Sequence, residues 1–205
     1  MNKLLVATTN QAKKLELLSG LSSLQKNGWE ILTLKDLNIT DDPEETGKTF
    51  EENALLKAMY YGEKTGLPTL ADDGGLMIDA LGGEPGVKSR RWKGYECTDQ
   101  ELIEYALEKL QGIPLENRTA KLQTCLCFYN PQTKFTASEE EPIEGYIAEK
   151  RLDRETNGYP YRVLFIVKKY HKFYDEMTPD EHDEENHRLK ALRRLLVQIE
   201  RNLLQ

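Results

Sequence analysis

The stretch from Thr49 to Arg91 leaves the fewest folds open to this chain. Thr49-x-x-Glu52 is a capping box, and the amphipathic run it opens continues from Phe50 to about Lys64 before Gly66 and Pro68 stop it. Thr69 to Ala71 follow at once as a short strand. Asp72-Asp73-Gly74-Gly75 then reads as a hairpin turn, because Asp-Gly is a strong turn signal, and Leu76 to Leu81 continue beyond it. A capped helix delivered this abruptly into a strand belongs to an α/β chain.

The remaining segments agree. Leu4 to Thr8 reads as a buried strand, followed by an amphipathic helix from about Gln11 to Leu24 with Leu15, Leu18 and Leu21 on its apolar face. Trp29 to Leu34 is a second strand and Asp41 to Lys48 a polar loop. Thr98 to Leu110 is helical, with Leu102, Ala106 and Leu110 in register. Arg118 to Tyr129 and Lys134 to Ile147 form a β-pair interrupted at Asn130-Pro131, and Val163 to Lys168 is a further strand. Asp175 to Glu185 holds seven acidic residues in eleven and reads as a solvated loop. Leu189, Leu192, Leu195, Leu196, Ile199 and Leu203 make a closing helix. Strands alternating with helices give an α/β protein with mixed sheet and surrounding helices.

Bulk properties bound the function. At 205 residues the chain makes one domain or two small lobes. A net charge of -7 argues against long nucleic acid as a partner, since that binding needs cationic surface. No apolar run reaches the roughly 20 residues of a membrane span, and the first residues are too short an apolar run for a signal peptide. Cys97, Cys125 and Cys127 have no metal or redox spacing, and Cys125-x-Cys127 places two thiols on one strand face, as core packing does. So sparse a cysteine count fits a reducing, cytoplasmic setting.

Several residues could carry chemistry. Thr8-x-Asn10-x-x-Lys13 sits where a strand ends and a helix begins, and the unpaired N–H groups of such a junction suit a phosphate. Thr9 or Asn10 there reads equally as an ordinary helix cap. Asp72 and Asp73 present hard oxygen donors suited to Mg²⁺, with Glu44 and Glu45 in the preceding loop as further candidates. Asn53 and Lys57 share a helix face, from which the lysine could reach a phosphate.

In order and spacing these motifs resemble the Ham1/RdgB family of inosine triphosphate pyrophosphatases. The first block is T-x-N-x-x-K, met by Thr8, Asn10 and Lys13. The second runs from Glu44 to Arg91, almost position by position, and Arg118-x-Ala120 and Gly145-x-Ile147 also match. The resemblance implies an elongated, two-lobed α/β fold with a substrate cleft between lobes, usually dimeric, spanning residues 1–205 as one domain. It also implies Mg²⁺-dependent hydrolysis of a nucleoside triphosphate between the α- and β-phosphates. By position, Asp73 would be the catalytic carboxylate and a metal ligand, with Asp72 in support and Glu45 helping to hold the metal. Thr8, Thr9, Asn10, Lys13, Asn53 and Lys57 would serve the phosphate chain, Lys57 also the catalysis.

The family's third block, G-F-G-Y-D-P-x-F, is altered here to Gly158-Tyr159-Pro160-Tyr161-Arg162-Val163-Leu164-Phe165. Its final S-H-R appears as Asn186-His187-Arg188, its preceding lysine falls on His182, and Gly74 replaces a serine. Tyr159 and Tyr161 could still contact a base, as could His187 and Arg188. Arg162, standing where the family has an aspartate, sets donor against the N1–H donor of a 6-oxopurine, which implies shifted or relaxed base selectivity. Two other readings compete: a catalytically weak nucleotide-binding regulator on the same scaffold, and a nucleic-acid patch at Arg188, Lys190, Arg193 and Arg194. His171 and His182 read as surface residues.

Overall fold

The computed structural model describes residues 2–203. Its seven strands are β1 (Lys3–Ala7), β2 (Glu30–Thr33), β3 (Thr69–Ile78), β4 (Thr119–Asn130), β5 (Phe135–Ile147), β6 (Phe165–Val167) and β7 (Lys172–Phe173). The helices are α1 (Gln11–Gly20), α2 (Ser22–Lys26), α3 (Phe50–Thr65), α4 (Asp99–Lys109), α5 (Pro179–Glu185) and α6 (His187–Leu203). The strands form one mixed sheet in the order β2-β1-β3-β4-β5-β6-β7. β1 runs parallel to β2 and β3, whereas β6 is antiparallel to β5 and β7. This is the expected mixed α/β sheet.

The chain divides into two compact units. The first holds the chain up to Asp73, Thr124–Glu141 and the stretch from His187 onward. Its core joins Leu4 and Val6 of β1 to Leu17, Leu21, Leu24 and the buried stripe of α6. That stripe is Ala191, Leu192, Leu195, Leu196 and Ile199, the three- and four-residue spacing of one helix face. The second unit holds Gly74–Gln123 and Pro142–Asn186. Its core includes Leu76 and Ile78 of β3, Leu102, Ile103 and Ala106 of α4, and Phe165.

Four local expectations are corrected. The first helix breaks at Leu21 into α1 and α2, where Ser19 and Gly20 stand before the break and Ser22 and Ser23 after it, all poor helix formers. Its buried face is Leu17, Leu21 and Leu24, while Leu15 is 59% exposed. The sequence carries two interleaved leucine sets, and the short connection from β1 decides which one faces the sheet. At Asp72-Asp73-Gly74-Gly75 the chain does not turn but stays extended, so β3 is one long strand. Leu70, Asp72, Gly74, Leu76 and Ile78 keep a period-two face through it, and the buried Leu76 and Ile78 hold that register against any reversal. Gly75 is required there, because a Cβ would lie 2.0 Å from the Ser89 hydroxyl oxygen. The acidic segment is helical: Thr178 caps α5 in a reciprocal box with Glu181, and Pro179 occupies the first turn. Lys169 pairs with Glu184 and Glu185, and Lys172 with Glu181, which offsets the negative charge.

The two histidines read as surface groups have neighbours. His171 Nδ1 lies 3.4 Å from the Tyr146 hydroxyl, and the His182 ring packs edge-on against Tyr174. Cys125 and Cys127 are buried on one face of β4 with their sulfurs 3.9 Å apart.

Candidate active site

Asp72 and Asp73 are chain neighbours on a strand, so their side chains leave opposite faces of the sheet. Asp72 is wholly enclosed. Its Oδ1 lies 3.2 Å from the Lys13 ammonium, and its Oδ2 accepts from Arg188 Nε at 2.8 Å and from the Thr124 hydroxyl at 3.3 Å. Burial alone would raise this carboxyl, but Lys13, Arg188 and Lys57 together outweigh it and hold it well below the usual carboxylate range. Arg188 is itself buried and ion-paired to both Asp72 and Glu16. Arg188, expected to contact a base, is placed here against Asp72 and Glu16. Glu16 and Thr124 escaped the sequence reading, although Glu16 falls one helical turn beyond Lys13 on α1.

Asp73 looks into a different environment. Asn53 Nδ2 donates to its Oδ2 at 3.2 Å, and the Lys57 ammonium lies 3.5 Å from its Oδ1. The same ammonium donates to Glu45 Oε1 at 2.7 Å. Asn53 also accepts from the Gly47 N–H at 2.8 Å, which ties the loop bearing Glu45 to α3. A Cβ at Gly47 would lie 2.5 Å from that amide oxygen, so only glycine permits the approach. Burial pushes the Asp73 carboxyl above the ordinary aspartate value, although Lys57 and Lys13 draw it down. Burial depresses Lys57, but Asp73, Glu45 and Asp72 overcome that and leave its ammonium more strongly protonated than usual.

α3 owes its placement to its ends. Thr49 Oγ1 accepts from the Glu52 N–H at 3.1 Å, and Glu52 reaches back to the Lys48 N–H, one residue beyond a reciprocal box. Glu52 is thus structural. At the β1–α1 junction, Asn10 Oδ1 accepts from the Ala12 and Lys13 N–H groups at 2.9 and 3.1 Å, so Asn10 caps the helix. Thr8 Oγ1 accepts from the Asn10 N–H at 3.3 Å, and Thr9 is exposed. Among the described residues, no cluster of three or more His, Cys, Asp or Glu side chains forms a ready-made metal cage. Glu45 and Asp73 nevertheless converge on one cationic position, that of the Lys57 ammonium. Two carboxylates of this kind fit Mg²⁺, which keeps several waters and takes its other ligands from substrate phosphates.

The remaining candidates lie in the second unit, apart from His187, which opens α6 and is buried. Gly74 is half-buried within β3. Tyr161 is buried, donates its hydroxyl to the Ser89 carbonyl at 2.7 Å and packs edge-on against Trp92. That hydrogen bond and packing place Tyr161 in the core of the second unit. Tyr159 follows the left-handed residues Asn157 and Gly158, and Arg162 lies over its ring. Arg118 is buried, and its guanidinium donates to the carbonyls of Leu110, Ile113 and Ala148, which ties the end of α4 to the end of β5.

The Ham1 family model matches residues 4–198. A dITP/XTP pyrophosphatase from Bacillus subtilis is 39% identical over 200 residues, covering 98% of this chain and 98% of its own. One from Thermus thermophilus is 44% identical over 194 residues, covering 95% and 90%. Among solved structures, a HAM1 protein from Coxiella burnetii has a TM-score of 0.83 at 31% identity, with 98% and 100% of the two chains covered. A nucleoside-triphosphatase / dITP/XTP pyrophosphatase from Mycobacterium abscessus has a TM-score of 0.77 at 36% identity, with 96% and 99% covered.

Proposed function

We infer from one premise, that this chain belongs to the Ham1 family and is accordingly a nucleoside triphosphate pyrophosphohydrolase, that Asp73 and the cations around it run the reaction. Water attacks the α-phosphorus, the α–β anhydride breaks, and monophosphate and pyrophosphate leave. The observation that carries the assignment is the different surroundings of two adjacent carboxyls: Asp72 is enclosed by Lys13, Arg188 and Thr124, whereas Asp73 shares the Lys57 ammonium with Glu45. Asp72, among three cations, stays ionised at any working pH. Asp73, raised by burial, is the one able to take a proton from the attacking water.

The other residues follow from their contacts. Asn53 holds Asp73 by one oxygen and leaves the second toward Lys57. Lys57 neutralises the carboxylates in the free protein and offers its ammonium to phosphate when they turn to other ligands. Lys13, anchored on Asp72, presents a second cation at the start of α1. Glu45 and Asp73 would hold Mg²⁺, which supplies charge neutralisation of the phosphates and a more acidic bound water. Asp72 and Arg188 take no part in the chemistry and fix Lys13. Thr8, Thr9 and Asn10 shape the backbone of the phosphate end.

Tyr159 offers a stacking face to the base, and His187 and Gly74 complete the substrate set. With Arg162 at the position of an acidic residue, base selectivity is shifted or relaxed relative to the family pattern. We also place the protein in the cytoplasm as a homodimer, in keeping with its three free, buried cysteines and the family resemblance. Purified protein with Mg²⁺ and a panel of ribo- and deoxyribonucleoside triphosphates, including ITP and XTP, tests the proposal. Pyrophosphate release lost in Asp73→Asn is the expected result. No release from the unaltered protein would replace it with the binding-protein reading, and an undiminished preference for ITP and XTP would refute the altered selectivity.

A further inference from the structure

The two departures from the family's base-reading pattern, Arg162 and His182, meet on one tyrosine. The Arg162 guanidinium carbon lies 3.4 Å from the centroid of the Tyr159 ring and 4.5 Å from that of Tyr174. The His182 ring packs on Tyr174 from the side, with centroids 4.9 Å apart and planes at 68°. Tyr174 is fully buried and so gives this stack a fixed floor. Asp175, next in the chain, is pushed up by burial and drawn back by Arg162, His182 and Arg154.

An aspartate at position 162 could not make this arrangement, because a carboxylate over the negative face of an aromatic ring is repelled. A guanidinium is attracted to that face and is flat enough to lie against it. The change therefore does more than reverse the polarity of one hydrogen bond. Tyr159 sits in an irregular segment, where its ring would otherwise rotate and lose entropy on meeting a ligand.

Building on the pyrophosphohydrolase reading, we propose that Arg162 is a positioning residue that layers on Tyr159 and Tyr174 and fixes the Tyr159 ring as a platform for purine bases. Selection then rests on stacking area more than on the hydrogen bond at N1. The substrate class is purine nucleoside triphosphates, whether 6-oxo or 6-amino, with pyrimidines disfavoured.

Steady-state kinetics of the Mg²⁺-supplemented protein on ITP, ATP and UTP test this, with Arg162→Met, Arg162→Lys and Tyr174→Phe as variants. Arg162→Met should raise KM for both purines about five- to tenfold, leave kcat within about twofold and erode the purine-over-pyrimidine ratio by a similar factor. Arg162→Lys should recover less than half of that loss, since an ammonium lacks the plane. Tyr174→Phe keeps the ring under Arg162 and should not reproduce the Arg162→Met loss of the purine-over-pyrimidine ratio. An unchanged KM, a loss confined to kcat, or an equal loss for UTP would overturn the proposal. Should the unaltered protein release no pyrophosphate, the enzyme reading fails separately. Calorimetric binding of inosine monophosphate then decides the platform by itself: weaker binding by Arg162→Met upholds it, and equal binding refutes it.

Discussion

Replacing Arg188 by methionine removes one cation from a buried carboxylate while keeping the length and most of the apolar volume of the side chain. Asp72 has no exposed surface and Arg188 only 3%. After the change, Asp72 Oδ2 retains only the Thr124 hydroxyl at 3.3 Å, and Oδ1 keeps Lys13 at 3.2 Å. Glu16, which also loses its contact with Arg188, is 18% exposed and recovers part of its hydration. Leaving a buried charge without one partner costs about 3–5 kcal/mol, and the remaining lysine argues for the lower end, about 3 kcal/mol. With a urea slope of about 2 kcal/mol per molar, the midpoint should fall by about 1.5 M by far-ultraviolet circular dichroism. Adding Asp72→Asn to Arg188→Met should restore part of the loss, because the stranded carboxylate is gone while Lys13, 15% exposed, gives up its partner. A loss under about 1 kcal/mol, the scale of an exposed pair, or strict additivity in the cycle would refute the reasoning. The pH dependence has a definite sign. The depressed Asp72 carboxyl stabilises the fold fully above the unfolded aspartate value of about 4 and loses that contribution as pH falls through its folded value. Arg188→Met brings the folded value back up, so acid unfolding should begin at higher pH.

Asp73→Asn should abolish pyrophosphate release without lowering the thermal midpoint at neutral pH. The raised Asp73 carboxyl stabilises the fold only below the unfolded value and costs stability once ionised, so a drop of several degrees would contradict its assigned environment. In a pH–rate profile, activity should fall as Asp73 takes up a proton, and Lys57→Met, which removes a cation beside it, should move that acid limb to higher pH; a shift the other way would count against the pair. Gly47→Ala forces the loop away from Asn53 and should cost far more activity than stability, read from kcat/KM beside a melting curve. Gly75→Ala should destabilise by about 1–3 kcal/mol in urea unfolding, since its new methyl meets Ser89 at 2.0 Å and the Gly86 carbonyl at 2.9 Å. Chelation with EDTA should stop turnover and added Mg²⁺ restore it; activity that survives chelation would remove Glu45 from its assigned role.

Periodicity made the helices and most strands legible because capping and apolar spacing are local. Leu102, Ala106 and Leu110 along α4 are where their spacing puts them. Thr178, Pro179 and Glu181 carried an equally plain start signal, which the density of acidic residues around it obscured. The leucine face of α1 was not readable, since two sets satisfy the same period and tertiary packing selects one. The Asp-Gly turn failed for a related reason: the local preference at Asp73-Gly74 yields to a buried period-two face on both sides of it. Within the site, spacing brought out Lys13, Asn53, Lys57, Asp72 and Asp73. It could not reveal that Arg188, 116 positions from Asp72, lies against that carboxylate.

The alternation of Asp72 and Asp73 across the sheet makes folding and reactivity separable by single substitutions. A related chain that has lost the residue at 73 but kept the one at 72 should fold normally and be silent as an enzyme, a recognisable mark of a repurposed scaffold. Loss at 72 should be rarer and accompanied by neutral residues at 13 and 188, because cations stranded there would destabilise the fold. A single-residue slip in β3 would be worse than either. It would exchange the two carboxylates between faces with the composition of the chain intact, leaving a protein with every required group and no working site.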